Sequence, residues 1–327
     1  MPADKLQAIK TIDELLKIFS LKLRKILSKL KIDFEALQEI RLRIDCPLMV
    51  NYGNKEYFVS ENASLVNEPS HGILITKNEI KETMEYISNY SLYAFEEEIR
   101  QGFITINGGH RIGITGKTII QEDSVKGMKH ISYINIRLAH QVKGCADIVM
   151  PYLANEQTRG IYQTLIISPP KCGKTTLLRD IIRQISNGCS YIEGMNVGVV
   201  DERSELGACY MGTPQNDLGI RTDILDCCPK AKGMMMLIRS MSPQVIAVDE
   251  IGSREDLEAI DHVISCGCKL IATVHGSSIE DVKSKPILGE LLRKRLFERY
   301  VILNNIKQIG HLEEIYDAFG NRIYHQG

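Results

Sequence analysis

The sequence has no excess of charge of either sign. Its 327 residues include 40 lysines and arginines and 41 aspartates and glutamates, so the formal net charge at pH 7 is −1. Because such a balance produces no overall field, it gives the chain no general attraction for nucleic acid or for an anionic membrane. Any such partner would have to be met by a local patch, and we expect no nucleic-acid partner.

Two further patterns are missing. The nine cysteines show no repeated C-x-x-C spacing and no paired histidines, which favours reduced thiols over a zinc site or a disulfide framework. The first residues, MPADKLQAIK, contain no apolar signal region, and no stretch approaches the roughly 18 uninterrupted apolar residues that a membrane span needs. We therefore expect a soluble, cytoplasmic protein with no transmembrane segment of its own.

The chain changes character near residue 155, which predicts two domains joined by the polar stretch Asn155–Gly160. In the first domain, residues 1–155, apolar side chains at helical spacing predict an amphipathic helix over Asp13–Leu30. The opposite face of this helix is basic, which suits either a solvated surface or an anionic partner. The basic residues are Lys17, Lys22, Arg24, Lys25, Lys29 and Lys31.

The rest of the first domain mixes strands with another helix. A capping box formed by Thr76 and Glu79 begins this helix, and strands separated by turn residues predict two hairpins. Residues 1–155 are therefore predicted to form a small α+β domain. The predicted strands are Glu39–Asn51, Glu56–Val59, Gly102–Ile106, Arg111–Thr115 and Tyr133–Leu138.

Residues 156–327 alternate short apolar runs with helical stretches, a pattern typical of a parallel sheet with crossover helices. We predict an α/β fold with a RecA-like core. The long polar connection Gly207–Asp226 is expected to be a functional or mobile loop. The predicted strands are Thr164–Ile167, Val197–Asp201, Val245–Asp249 and Lys269–Val274, and the predicted helices are Lys174–Ser186, Lys230–Met241 and Arg254–Ser265.

A strand, a tight loop and a helix start follow one another over Thr164–Leu178, which is the context of a phosphate-binding P-loop. Backbone amides would surround the β-phosphate of ATP or GTP, Lys174 would reach the β- and γ-phosphates, and the Thr175 hydroxyl would bind Mg²⁺. Ser168 takes the place of the first glycine in G-x-x-x-x-G-K-[ST], so the strict pattern is broken. The predicted loop consists of Ser168, Pro169, Pro170, Lys171, Cys172, Gly173, Lys174, Thr175 and Thr176.

Two adjacent carboxylates, Asp249 and Glu250, follow the apolar run that starts at Val245, which is the Walker B pattern that a P-loop requires. Asp249 is predicted to hold the Mg²⁺ shell, and Glu250 to orient and polarise the attacking water. Glu202, which follows another predicted strand, is the rival general base. His275 follows a further strand and is expected at the same edge of the sheet, where it would sense the γ-phosphate.

Charge on a γ-phosphate in the transition state calls for an arginine, which a neighbouring subunit can supply. The sequence does not distinguish among the candidates in the second domain, and a surface or ion-pair role stays open for each of them. The candidates are Arg203, Arg221, Arg239 and Arg254.

Several stretches resemble the stage III sporulation protein AA family of endospore-forming bacteria, and this resemblance covers nearly the whole chain. The stretch Met241–Gly252 is quite specific, and Ala272–Gly276 also resembles the histidine box of the type II and type IV secretion ATPases, to which that family is related. The other stretches are Tyr93–Phe95, Gln101–Thr105, Gly108–Gly113, Asn135–Arg137 and Asp201–Glu205.

The resemblance implies an ATPase of the secretion superfamily that uses ATP and Mg²⁺, forms a homo-hexamer and closes its small N-terminal domain over bound nucleotide. It also implies mechanical work in the mother-cell cytoplasm, beneath a membrane channel that joins mother cell and forespore. Arg111 and Arg137 resemble arginines that reach a neighbour's phosphates. Glu202 stands at the position of the secretion ATPases' aspartate box, and Ser168 and Lys171 stand where glycine is usual or frequent.

Three hypotheses follow for the function. The first is an ATP-hydrolysing motor of a sporulation-specific, secretion-like membrane channel complex. The second is a nucleic-acid translocase on the same RecA-like core, although the second domain has no basic run outside Arg293–Arg295. The third is a nucleotide-binding scaffold without turnover, which the departures at Ser168 and Lys171 favour.

Overall fold

The computed structural model describes residues 12–88, 98, 102–121, 124–304 and 310–325. The chain divides into two compact units, Met1–His140 and Gln141–Gly327, each with its own large sheet. No helix in the described part of the chain has both the length and the hydropathy that a membrane span requires.

Seven strands of the first unit form one antiparallel sheet. Both predicted hairpins are present in it. The single strand predicted over Glu39–Asn51 is wrong, because the chain turns near Asp45, whose φ is 59°, and continues as a second strand. In chain order the strands are β1 (Leu37–Arg43), β2 (Met49–Tyr52), β3 (Lys55–Val59), β4 (Leu65–Val66), β5 (Phe103–Thr105), β6 (Arg111–Gln121) and β7 (Ser124–Arg137), and the sheet order is β4-β3-β2-β1-β7-β6-β5.

The helix predicted over Asp13–Leu30 is interrupted. Helix α1 covers residues 12–17 and α2 covers Leu21–Leu27. The break falls at Ser20, whose buried amide donates to Thr83 Oγ1 at 3.2 Å and whose hydroxyl accepts the amide of Leu23 at 3.4 Å. A serine that takes up backbone groups in this way ends one helix and caps the next, although the apolar period continues through it.

Helix α3 covers Lys77–Ile87 and begins with the predicted capping box. The carboxylate of Glu79 also pairs with Lys22 of the basic face at 3.1 Å. Arg24 of the same face lies 5.2 Å from the ring centre of Tyr86. These two members of the basic face therefore stabilise the first unit. Short 3-10 helices cover Phe34–Ala36 and Pro69–His71.

Eight strands of the second unit form its main sheet, and the predicted α/β fold with a parallel sheet is confirmed. In chain order they are β10 (Thr164–Ser168), β11 (Val197–Asp201), β12 (Thr222–Asp226), β13 (Val245–Val248), β14 (Lys269–His275), β15 (Arg299–Asn304), β16 (His311–Asp317) and β17 (Arg322–His325). Their order is β12-β11-β13-β14-β10-β15-β16-β17, and all neighbours from β12 to β15 are parallel. A separate hairpin consists of β8 (Ala154–Asn155) and β9 (Gly160–Ile161).

Helices cover both faces of this sheet. Because successive side chains of a strand point to opposite faces, Ile166 of β10 packs in one core with Ile181, whereas Ile167 packs in the other core with Leu257. The sheet is thus buried on both sides, which is typical of parallel sheets. The helices are α4 (Met150–Leu153), α5 (Lys174–Asn187), α6 (Lys230–Ser240), α7 (Arg254–Ser265), α8 (Ile279–Ser284) and α9 (Pro286–Arg293).

The predicted loop Gly207–Asp226 is wrong in its last part. Strand β12 occupies that part and pairs with β11 so that Asp226 lies opposite Asp201. The apolar pattern does not reveal this strand. The strand lies at the edge of the sheet, where all of its residues are only half-buried, and Asp223 interrupts the apolar pattern.

The division between the units falls after His140, earlier in the chain than residue 155. Val149 and Leu153 belong to the same core as Ile181 of α5, and the amide of Ala146 donates to the buried carboxylate of Asp180 at 2.9 Å. The residues just before 155 therefore pack with the second unit, because their apolar side chains need its core.

Candidate functional site

The predicted P-loop connects the carboxyl end of β10 to the first turn of α5. Gly173 precedes α5 with a φ of 79°, and Lys171 has a φ of 62°. A left-handed backbone is easiest for glycine, so Lys171 adopts this conformation at a cost in energy. Among the described residues no side chain caps the amides of α5, so they remain available to an anion.

Ser168 fits its position without the freedom of glycine. It is fully buried as the last residue of β10, and its hydroxyl donates to the carbonyl of Pro169 at 2.9 Å. Strand geometry suits any residue, so the loss of the first glycine does not distort the entrance to the loop. Cys172 is buried and donates to the carbonyl of Pro170 at 3.5 Å.

The ammonium group of Lys174 is the buried charge around which the site is arranged. Its side chain is only 5% exposed, and Nζ lies 3.1 Å from Glu250 Oε1 and 3.3 Å from Asp249 Oδ1. A buried charge is costly unless it is paired, so these carboxylates hold the lysine in place. The structure therefore brings the predicted phosphate-binding lysine together with both predicted Walker B acids.

Asp249 joins the predicted P-loop to strand β14. Its Oδ2 accepts the hydroxyl of Thr175 at 2.8 Å, and its Oδ1 accepts the hydroxyl of Thr273. A hydroxyl and a carboxylate held together beside a phosphate-binding loop are the groups that a nucleotide-bound Mg²⁺ requires from a protein. In the described part of the chain, no group of three or more His, Cys, Asp or Glu side chains could hold a metal ion. The paired Thr175 hydroxyl and Asp249 carboxylate fit a Mg²⁺ ion whose other ligands would come from a nucleotide.

Glu250 contacts a lysine, a histidine and an arginine. Besides Lys174, His275 Nε2 lies 2.8 Å from its Oε1, and Arg203 Nη1 lies 2.9 Å from its Oε2. Burial raises the pKa of Glu250, but the hydrogen bond and charge of Lys174, with the charges of His275 and Arg203, outweigh that effect and hold the pKa below its usual value. Glu250 is therefore an ionised carboxylate at neutral pH.

Glu202, the rival general base, pairs with Lys230 at the start of α6. Its side chain is 39% exposed, whereas that of Glu250 is 24% exposed. The geometry thus places Glu250, and not Glu202, against Lys174 and His275.

Asp201, the residue before Glu202, has a structural part in the site. It is 2% exposed, and its carboxylate accepts the amides of Glu205, Leu206 and Gly207, each at 2.8 Å. Burial raises its pKa to about 6, although these amides act in the opposite direction. Asp201 therefore fixes the loop that follows β11 and carries Arg203.

Arg179 of α5 fixes the same loop through its carbonyl groups. Its guanidinium donates to the carbonyls of Glu205 at 2.9 Å and Leu206 at 3.2 Å. Sequence reasoning did not select Arg179, because an arginine on a helix gives no signal of its partners. Thr273 was missed for a similar reason, since it stands inside an apolar strand.

The candidate trans arginines fall into different settings. Arg203 contacts Glu250 of its own chain, and Arg221 donates to the carbonyl of Ser186 at 2.9 Å. Arg239 is exposed in the last turn of α6, and Arg254 is the exposed first residue of α7.

The two candidates in the first unit are neighbours. Arg111 on β6 lies directly opposite Arg137 on β7. Arg137 pairs with Glu39 at 3.1 Å, and Arg111 lies 4.1 Å from the ring centre of Phe103. Their sheet therefore presents two arginines side by side.

A cavity of about 540 Å³ lies beside the predicted P-loop. It reaches Gly173 and Thr176, and most of its other lining is apolar. A mostly apolar cavity next to a phosphate-binding loop is suited to a flat base or another small apolar group. Its lining includes Val142, Cys145, Ile148, Leu177, Leu303 and Leu312.

Solved structures show which class of fold this is. The ATPase DotB of Yersinia pseudotuberculosis matches with a TM-score of 0.55 and 13% identity, over 87% of this chain and 75% of that one. The pilus retraction motor PilT, solved with bound ADP, matches with a TM-score of 0.54 and 15% identity, over 86% of this chain and 77% of that one. Together with the sheet order, these likenesses define the fold as that of the RecA-like secretion ATPases.

Sequence comparison is more specific. A family model described as "Sporulation stage III, protein AA" matches residues 9–323. Stage III sporulation protein AA of Bacillus subtilis (strain 168) is 42% identical over 286 residues, which cover 87% of this chain and 88% of that protein. The chain therefore belongs to the sporulation stage III protein AA family, as the resemblance in its motifs indicated.

The raised pKa of Asp201 predicts a dependence of stability on pH. The folded state binds this proton more tightly than the unfolded chain, whose ordinary aspartate pKa is 3.8. The stabilisation that wild type gains over Asp201→Asn should therefore fall as pH rises from about 4 through about 6, by on the order of 3 kcal/mol in all, and become constant only about one pH unit above the folded pKa. Urea unfolding of both proteins at several pH values measures this difference.

Asp180 is the matched control, because burial raises its pKa but the amide of Ala146 and the guanidinium of Arg183 outweigh that effect and hold it below the ordinary value. The stabilisation that wild type gains over Asp180→Asn should be lost only when the pH falls below the pKa of an ordinary aspartate. It should be constant between about pH 5 and 6. A constant or rising Asp201 difference between pH 4 and 6 would contradict the assignment.

Proposed function

We propose that the chain binds ATP at residues 168–176 and hydrolyses it. The observation that carries this proposal is the buried Lys174 ammonium, which two carboxylates hold at the carboxyl edge of a parallel sheet. That edge is where open α/β sheets bind their ligands, and triphosphate oxygens are an equivalent set of partners for the ammonium. When ATP binds, Lys174 exchanges Asp249 and Glu250 for the β- and γ-phosphates.

The other groups of the site then have distinct tasks. Thr175 and Asp249 would hold Mg²⁺, which would supply positive charge beside the β- and γ-phosphates. The amides at the start of α5, which no described side chain caps, bind the β-phosphate. The nucleoside enters the apolar cavity beside Gly173 and Thr176, where burial of the base adds affinity.

Glu250 is the proposed general base. Once Lys174 has moved to the phosphates, the carboxylate of Glu250 remains beside His275 and Arg203. It then accepts a hydrogen bond from the attacking water and orients it toward the γ-phosphorus. His275 Nε2 lies 2.8 Å from Glu250 Oε1, so that His275 would sense whether a γ-phosphate is present.

The wider role follows from the family. We propose that the chain works as a homo-hexamer in the mother-cell cytoplasm, where it drives assembly of, or transport through, a membrane channel complex between mother cell and forespore. Membership of the sporulation stage III protein AA family and the secretion-ATPase fold support this role. Arg111 and Arg137 are the proposed trans arginines, because they resemble arginines that reach a neighbour's phosphates and lie side by side on their sheet.

The assignment of the base predicts the order of effects in three variants. Lys174→Ala and Glu250→Gln should each lower the steady rate of phosphate release by at least about 100-fold, since each removes a group that acts on the transferred phosphate or on the water. Glu202→Gln is the matched control and should retain most of the activity, because its partner is Lys230. Undiminished turnover in Lys174→Ala and Glu250→Gln would contradict the proposal.

Completion of the site by a neighbouring subunit predicts a dependence on protein concentration. The ATPase rate per chain should rise several-fold as the ring assembles, and Arg111→Ala or Arg137→Ala should abolish that rise. Lys117→Ala is the control, because Lys117 is an exposed residue of the same strand as Arg111. A rate per chain that is constant from the monomer to the assembled ring would contradict a site shared between subunits.

A further inference from the structure

Thr273 contacts both carboxylate residues of the proposed site, although it belongs to a neighbouring strand. It lies on β14, between the strand that ends at Ser168 and the strand that ends at Val248. Its side chain is fully buried in a strand whose interior is otherwise apolar. A buried hydroxyl needs partners, so what it binds indicates why a polar residue stands there.

The partners of Thr273 are three consecutive residues of the adjacent chain segment. Its hydroxyl donates to Asp249 Oδ1 and accepts the amide of Glu250 at 2.9 Å, and its carbonyl accepts the amide of Ile251 at 2.9 Å. The regular pairing of the two strands ends one step earlier, where Val248 lies opposite Ala272. Thr273 therefore takes over from the sheet at the point where β13 ends.

This takeover determines the geometry of both acids. Glu250 has a φ of 55°, which a side chain other than glycine adopts only at a cost of about 1 kcal/mol or more. The bond from its amide to Thr273 Oγ1 holds that backbone, and the turn directs the carboxylate to Lys174 and His275. Without the hydroxyl, the half-buried amide of Glu250 loses its partner and the left-handed turn loses its support.

The same hydroxyl assigns different roles to the two oxygens of Asp249. Oδ1 is occupied by Thr273, whereas Oδ2 faces the hydroxyl of Thr175 in the predicted P-loop. We propose that Thr273 is a positioning residue with two effects. It turns Asp249 Oδ2 toward the Thr175 hydroxyl, where Mg²⁺ would bind, and it holds the Glu250 carboxylate beside Lys174 and His275. This inference rests on the proposed function, because it gives a task to a residue behind the same site.

The test compares Thr273→Val, which keeps the shape and removes the hydroxyl, with Thr273→Ser, which keeps the hydroxyl. The probe is ADP, whose affinity for the full chain is measured by calorimetry with and without Mg²⁺. In Thr273→Val the gain in affinity that Mg²⁺ provides should fall at least fivefold, while the affinity without Mg²⁺ stays within twofold. The value of kcat for ATP should fall at least tenfold with KM changed less than threefold, and Thr273→Ser should restore both properties.

Thr164→Val is the matched control. Thr164 is equally buried and lies on the adjacent strand β10, but it donates to the carbonyl of Tyr162 at 2.9 Å, at the opposite end of the sheet. A merely structural role for Thr273 predicts that both valine variants lower the urea midpoint and that neither changes the Mg²⁺ dependence. Equal Mg²⁺ dependence in Thr273→Val and wild type therefore overturns the proposal.

The outcomes also separate this inference from the proposed function. A wild-type chain that binds Mg²⁺-ADP but releases no phosphate from ATP contradicts the ATPase, and the Mg²⁺ dependence of ADP affinity still decides the role of Thr273. A wild-type affinity without any Mg²⁺ dependence overturns both. Should Thr273→Val fail to fold, Thr273→Cys replaces it, because a thiol is a weaker donor than a hydroxyl. Equal Mg²⁺ dependence in the cysteine and serine variants then overturns the proposal.

Discussion

The ammonium group of Lys174 is buried, and a buried charge of this kind is stable only beside opposite charge. In the structure Asp249 and Glu250 supply that charge from the end of β13, two strands away from β10 in the sheet order. The parallel arrangement makes this possible, because it brings the carboxyl ends of β10, β13 and β14 to one edge. The fold and the site therefore depend on the same constraint.

Two anchors, each a set of hydrogen bonds, fix that edge of the sheet around Lys174. Asp201 accepts amides of the loop after β11 and Arg179 donates to carbonyls of the same loop, so that Arg203 reaches Glu250. Thr273 binds the backbone and the carboxylate that follow β13. Because each anchor satisfies buried polar groups, the positions of the acids follow from hydrogen bonds as well as from charge. The arrangement of the acids around Lys174 is thus fixed by contacts within the protein itself.

Much of this could be predicted from sequence, because the patterns that carry it are local. Apolar runs followed by Asp249 or His275 indicate strands that end in a polar edge, and the sequence around Gly173 and Lys174 indicates a strand, a loop and a helix. What could not be predicted depends on contacts between distant segments. Ser20 divides a helix because Thr83 receives its amide.

The different partners of Glu202 and Glu250 have the same physical cause. Both residues follow apolar strands, and only the packing of α6 shows that Lys230 is the partner of Glu202. The edge strand β12 was hidden because one exposed side leaves it with few apolar residues. Sequence patterns report burial and period along the chain, whereas these features depend on which segments become neighbours.

We infer that Lys174 exchanges its carboxylate partners, Asp249 and Glu250, for the phosphates of a bound nucleotide. A structure of the full chain with a non-hydrolysable ATP analogue and Mg²⁺ tests it most directly. We expect Lys174 Nζ to lie within hydrogen-bond distance of the β- and γ-phosphates and away from Glu250 Oε1, with the bond from the Glu250 amide to Thr273 unchanged. A nucleotide bound elsewhere while Lys174 stays paired with Asp249 and Glu250, or a γ-phosphate that faces Glu202, would contradict it.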